Sequence, residues 1–198
     1  MFKKLTKGFV MKYLIQWLVA CGLLASCVQA KEFVIDPAHS NLGFSIKHMM
    51  VSNVRGNFNA YTADIDYDLE KKVFNKLSAK IDATSIDTGI VKRDEHLRSA
   101  DFFEVDKFKT IDFVMTSMRE NKIYGNLTIH GVTKEVVLES TVHGVVKDLQ
   151  SRQRMGFTLE GKINRKEFGL TWNKIIEGGG LTVGDTVNLV IDVEAIEL

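Results

Sequence analysis

Histidine is the side chain most often used for proton transfer and metal ligation, and this chain has five of them: His39, His48, His96, His130 and His143. They are scattered. No two fall four apart on a helix and no cysteine stands beside them, so their spacing gives no metal site. No Gly-x-Ser-x-Gly nucleophile elbow is present. The run Gly178-Gly179-Gly180 leads into a strand, whereas a phosphate-cradling loop needs a helix there. Asp101, Glu104 and Asp106 crowd beside Lys107 and Lys109, a composition that suits a solvated turn better than an acid–base pair. The local set with most chemical potential is Arg93, Asp94 and His96. Arg93 and His96 are three apart and share a face if the segment is helical. A guanidinium is a planar fork of donors suited to phosphate, and an imidazole beside it adds a donor or an acceptor. These residues specify no reaction and no cofactor, and the chain reads as a binder and not as an enzyme.

The elements that must position these residues begin after residue 30. Residues 1–30 carry Lys3, Lys4, Lys7 and Lys12 with no acid, then an apolar stretch from Tyr13 to Leu24, then small residues ending at Ala30. That order is a secretory signal peptide cleaved after Ala30, with Met11 as an alternative start. The apolar run is interrupted by Gln16 and is shorter than the ~20 residues of a comfortable membrane span, which argues against an uncleaved anchor. Leu24-Ala25-Ser26-Cys27 also resembles a lipoprotein signal, with Cys27 the acylated residue; a soluble product is preferred.

Residues 31–198 then form one domain, with 22 basic and 25 acidic residues and no Arg/Lys cluster, so there is no footprint for nucleic acid. Both cysteines, Cys21 and Cys27, lie in the leader. The domain has no disulfide, and core burial alone must stabilise it.

Two-residue alternation dominates this domain. Leu42, Phe44, Ile46 and His48 share one face; so do Leu77, Ala79, Ile81 and Ala83; and so do Ile111, Phe113 and Met115. The pattern continues through Ile123–Ile129, Val136–Val142, Met155–Ile163 and Val187–Val193. One apolar face at period two is the mark of half-buried antiparallel strands. Asn121-Lys122 and His130–Lys134 read as hairpin connections, and no strand–helix alternation suggests a parallel sheet. The expectation is an all-β, extended, antiparallel, eight-stranded barrel. The stretch from Asp87 to Phe103 lacks alternation. It reads as a long connection holding a short helix, Val91 to Ser99, capped by Asp87 or Thr88 and set at the barrel mouth.

In-phase alternation turns Phe44, Ile46, Phe58, Leu77, Ile81, Phe113, Leu127, Leu138, Phe157 and Ile191 inward, and His48 with them. An inward imidazole needs a partner, from the protein or from a ligand. Ala79, Gly125 and Gly161 on inward faces fit either a ligand cavity or a solid, tapering core.

Several segments resemble a known family. Asp36-Pro37-Ala38-His39-Ser40, Phe44–His48 and Gly56-Asn57-Phe58 resemble the opening of the YceI-like bacterial polyisoprenoid-binding proteins. Ser85–Thr88, Arg93–Leu97 with Asp101-Phe102-Phe103, Gly125–Thr128, His130–Thr133 and Asn164–Leu170 follow in the same order. Lys109 and Lys134-Glu135 depart from the pattern at turns where proline is expected. The resemblance spans residues 33–197. It implies a lipocalin-like barrel that encloses a long isoprenoid or other apolar lipid in the periplasm, as a carrier or store.

On that reading the ligand is of the polyprenyl phosphate or quinone type. The ten inward apolar residues contact the chain, and His48, Arg93 and His96 contact the headgroup. A general fatty-acid or lipid-amide carrier is the alternative among binders. A headgroup-modifying enzyme using Arg93, Asp94 and His96 is the alternative from another class. No metal or nucleic acid partner is expected, and a homodimer is compatible with the sequence.

Overall fold

The computed structural model describes residues 31–175 and 180–198. The leader, and Gly178 and Gly179, lie outside the described residues. Eleven strand segments join one antiparallel sheet: β1 (Lys31–Ile35), β2 (Asn41–His48), β3 (Ser52–Phe58), β4 (Tyr61–Asp68), β5 (Val73–Asp82), β6 (Ile86–Asp87), β7 (Thr110–Arg119), β8 (Lys122–Ile129), β9 (Val132–Lys147), β10 (Gln153–Asn164) and β11 (Val183–Glu197). Pairing of β1 with β11 closes the sheet into an eight-stranded barrel.

The extra segments come from interruptions. β1 and β2 lie in series along one edge of β11, opposite Ala195–Glu197 and Val183–Asp192 respectively. Between them Pro37 has no N–H to give to a ladder. The chain makes a short 3-10 turn there, and the Asp36 carboxylate accepts from the Ala38 N–H. β3 and β4 break at Asn59 and Ala60, whose N–H groups both donate to the Ser85 hydroxyl. β5 and β6 are separated by the 3-10 turn Ala83–Ser85.

The helix, α1 (Val91–Arg98), ends one residue before the expected limit. Its cap is corrected: Ile90 occupies that position with no side-chain bond. Asp87 instead accepts from Gly89 N–H, and Thr88 is bound to Asp94. Arg98 ties the helix end to the barrel by donating to the carbonyls of Thr84 and Ile86, both at 2.7 Å. Two turns differ from expectation, the first shifted by one residue and the second shortened. Glu120-Asn121 joins β7 to β8, and His130-Gly131, with φ of 52° and 74°, joins β8 to β9. Two positive φ values suit the hairpin turn whose twist matches the strands, and glycine takes the second at no steric cost.

The end of the barrel farthest from α1 is solid. Phe33, Tyr67, Phe74, Ile123 and Met155 are each no more than 3% exposed, and the Tyr67, Phe74 and Phe157 rings follow one another at 4.9 and 5.0 Å. Outside this plug, Arg154 on β10 donates to Asp36 (2.9 Å), Asp148 (3.1 Å) and Glu194. His39 and Arg154, in that order, hold the Asp36 carboxyl below its ordinary value. Burial alone would raise Asp148, but the Arg152 N–H and the Arg154 guanidinium outweigh it and leave that carboxyl lowered too. Asp68 is buried at the β4–β5 turn and is lowered by the Lys71 N–H and ammonium.

A carboxylate with a depressed folded-state pKa stabilises the fold above its unfolded value and loses that contribution as pH falls through the folded one. Thermal stability is therefore expected to hold from neutrality down to pH about 4 and to fall below it. A melting series against pH checks this, and Asp68→Asn should flatten the acid side of the curve.

Candidate functional site

Two chambers lie in series within the barrel. The outer, beneath α1, has a volume of about 310 Å³ and the inner about 120 Å³. Phe44, Phe58, Ile111, Ile129, Ile163 and Leu189 line both and form the neck between them. Phe58 stands between Phe44 (5.8 Å) and Phe103 (5.9 Å) in a run of rings from the barrel wall to the segment after the helix. The solid end described above stops the inner chamber, so the lumen is blind at that end.

The ten apolar residues that in-phase alternation turns inward line this lumen, as do His48, Arg93 and His96. Phe44 and Phe58 lie at the neck, and Ile46, His48, Arg93 and His96 at the outer chamber. Leu77, Ile81, Phe113, Leu127, Leu138, Phe157 and Ile191 line the inner chamber, together with Ala79. The register explains this, since cross-strand partners such as Ile81–Ile111 and Leu159–Ile191 stay in phase around the sheet.

The inward glycines do not leave the room their size suggests. A Cβ on Gly125 would stand 2.4 Å from the Phe113 ring, one on Gly56 2.6 Å from Phe44, and one on Gly161 2.6 Å from Leu138. Large side chains of neighbouring strands already lie over them. Ala79, by contrast, does border open volume.

The polar groups of the outer chamber are partly committed. Arg93 donates through Nε to the Thr88 hydroxyl (2.6 Å) and through Nη2 to the Thr88 carbonyl (2.7 Å). Asp94 is buried and accepts from the Thr88 N–H and hydroxyl, so it is spent on the loop. His96 Nε2 lies 2.8 Å from Asp101, and its ring meets Phe102 (5.1 Å) and Trp172 (4.9 Å) edge to face. Among the described residues His48 has no hydrogen-bond partner in its side chain's reach. Asp36, His39 and Glu194 come together as a metal site would require, but Arg154 already binds both carboxylates there.

Sequence reasoning missed Arg165 and Trp172. Arg165 is 3% exposed yet borders the outer chamber, and burial pushes its guanidinium pKa down. The stretch Asn164–Leu170 was conspicuous in sequence, but the residue falls just past the end of β10, where alternation no longer assigns a face.

A closed antiparallel barrel with a blind apolar lumen under a helical cover defines a class of small-ligand binders. The YceI-like domain model matches residues 33–195, and the chain belongs to the YceI-like family. A UPF0312 protein of Staphylococcus aureus (strain USA300) is 39% identical over 157 residues, 79% of this chain and 92% of that protein. The crystal structure of the Campylobacter jejuni YCEI protein superposes with a TM-score of 0.69 at 39% identity, covering 83% of this chain and 96% of that one. At 14% identity, a polyisoprenoid binding domain from Saccharophagus degradans shares the fold, with a TM-score of 0.60 over 86% of this chain and all of that one.

The glycine and alanine environments separate two substitutions. Ala79→Leu should fill the inner chamber, weakening uptake of a long-chain apolar fluorescent probe while moving the melting temperature little. Gly125→Leu should displace Phe113 and cost about 1–3 kcal/mol of stability, the usual penalty for overpacking. Probe titration and denaturant unfolding of both variants check the contrast.

Proposed function

We propose that this protein is an exported, periplasmic carrier that encloses one long apolar lipid, of the polyisoprenoid type, with its chain in the barrel lumen. The observation that carries the reading is the blind inner chamber, which no charged side chain lines among the described residues. An unfilled apolar volume forfeits dispersion contacts that a bound chain would supply. The polyisoprenoid binding domain of the same fold supports the choice of lipid, as does membership of the family.

A general fatty-acid or lipid-amide carrier uses the same physics. Each buried methylene contributes about 0.8 kcal/mol whichever chain supplies it, so the lumen selects for length and bulk more than for chemical type. An enzymatic reading is weakened at one point: Asp94, one of its three tools, is engaged by Thr88. The His96–Asp101 pair is what such a reading retains.

Protein purified without detergent should release a prenyl lipid, close to one per chain, on organic extraction and mass spectrometry. Release of saturated fatty chains alone would favour the general carrier. Turnover of a lipid headgroup that disappears in His96→Ala would overturn the carrier reading.

A further inference from the structure

The two chambers differ in charge. No carboxylate lines either of them among the described residues. The inner one has no ionisable group but the Tyr61 phenol, whose hydroxyl donates to the Ser40 carbonyl. The outer one is bordered by Arg93, Arg165, His48 and His96, with Lys47 exposed at its rim. Of the acids beside these groups, Asp94 is spent on Thr88, Asp101 pairs with His96 itself, and Asp185 bonds Lys166 at 2.9 Å while standing 3.7 Å from Arg165.

Arg165 is the unusual member. Its Nε donates to the Gly184 carbonyl (2.8 Å), Nη1 to Leu170 and Nη2 to Val183 (3.4 Å). Carbonyls orient a guanidinium but do not neutralise it. A guanidinium carries five N–H donors, so two remain without an acceptor among the described residues. Its ion pair with Asp185 is long, Nη2 to Oδ1 at 3.7 Å and beyond hydrogen-bond reach, and the other Asp185 oxygen is held by Lys166. A cation at 3% exposure with so little compensation is costly, and an anion at the chamber wall would offset the cost. Arg93 adds a second guanidinium whose Nη1 has no acceptor among the described residues.

We infer that the outer chamber is an oxyanion site: the lipid enters chain first, and its phosphate or carboxylate headgroup is held between Arg165 and Arg93. This rests on the carrier reading and adds the headgroup class and the direction of threading. Arg165 supplies the fixed, preorganised donors from the wall. Arg93 approaches from the helix that covers the chamber, so a headgroup between them also draws α1 against the barrel.

The test compares lipids that differ only at the head. A polyprenyl monophosphate is paired with the polyprenol of equal length, and a fatty acid with its fatty alcohol. Binding is read from Trp172 fluorescence, with Trp17 changed to phenylalanine. The anionic member of at least one pair should bind about tenfold tighter, as charge-assisted hydrogen bonds give. Which pair shows the larger ratio distinguishes phosphate from carboxylate. Arg165→Met should bring that ratio towards one; if this variant does not fold, Arg93→Met decides, with a several-fold fall in the ratio. Equal affinity within both pairs would overturn the anion site while leaving the carrier reading intact. A preference untouched by the arginine substitutions would overturn the assignment to them. Binding of no lipid at all would remove both readings.

Discussion

Closure of the sheet along β11 is the constraint on which the rest of the molecule depends. One edge of this strand pairs with β10 from Thr186 to Ile196, and its other edge serves β2 and β1 in turn. A closed barrel leaves no unpaired strand edge, and it also fixes phase. Because side chains alternate at period two, one register decides for each strand which residues enter the lumen. Pro37, the interruption in that edge, is compensated by the Asp36 side chain and by the Asp36 N–H donating to Glu194. Arg154 then ties the same turn to β10, β11 and the β9–β10 hairpin, so the site of interruption is also the most heavily cross-linked.

From that closure the division of labour along the barrel axis follows. Where strands from all sides bring large side chains together, as around Phe33, Phe74 and Phe157, the interior is packed solid. Towards the other end the wall is completed by α1 and its flanking loop, which cannot interdigitate with the strands as another strand would. Volume remains there, and the backbone breaks and helix ends bring polar side chains to it. An apolar blind end and a cationic mouth are thus consequences of how the sheet is finished.

The inward residues were legible in sequence because burial and alternation speak to the same quantity. Phe113, Leu127 and Phe157 needed only their phase to be placed. The eight-strand count was equally readable, although Pro37, the Asn59-Ala60 break and the Ala83–Ser85 turn split it into eleven segments. The glycines stayed open between cavity and packed core, since an empty face says nothing about which neighbour covers it; Phe113 over Gly125 is a fact of cross-strand geometry. The helix cap was misread for a related reason, as Asp87 and Thr88 found other partners in the loop. Arg165 was invisible because its guanidinium is held by carbonyls of the following segments, on Leu170, Val183 and Gly184, which no strand alternation signals.

The central claim is that a single lipid chain lies along the lumen with its head beside the outer chamber and its tail in the inner one. Trp172 borders the outer chamber and serves as a fixed reporter. A series of otherwise identical lipids brominated at successive positions along the chain measures the placement by quenching of Trp172. Quenching strongest for bromine near the head, and falling steadily towards the chain end, is the expected result. Quenching that is uniform along the chain, or that rises towards the tail, would contradict it.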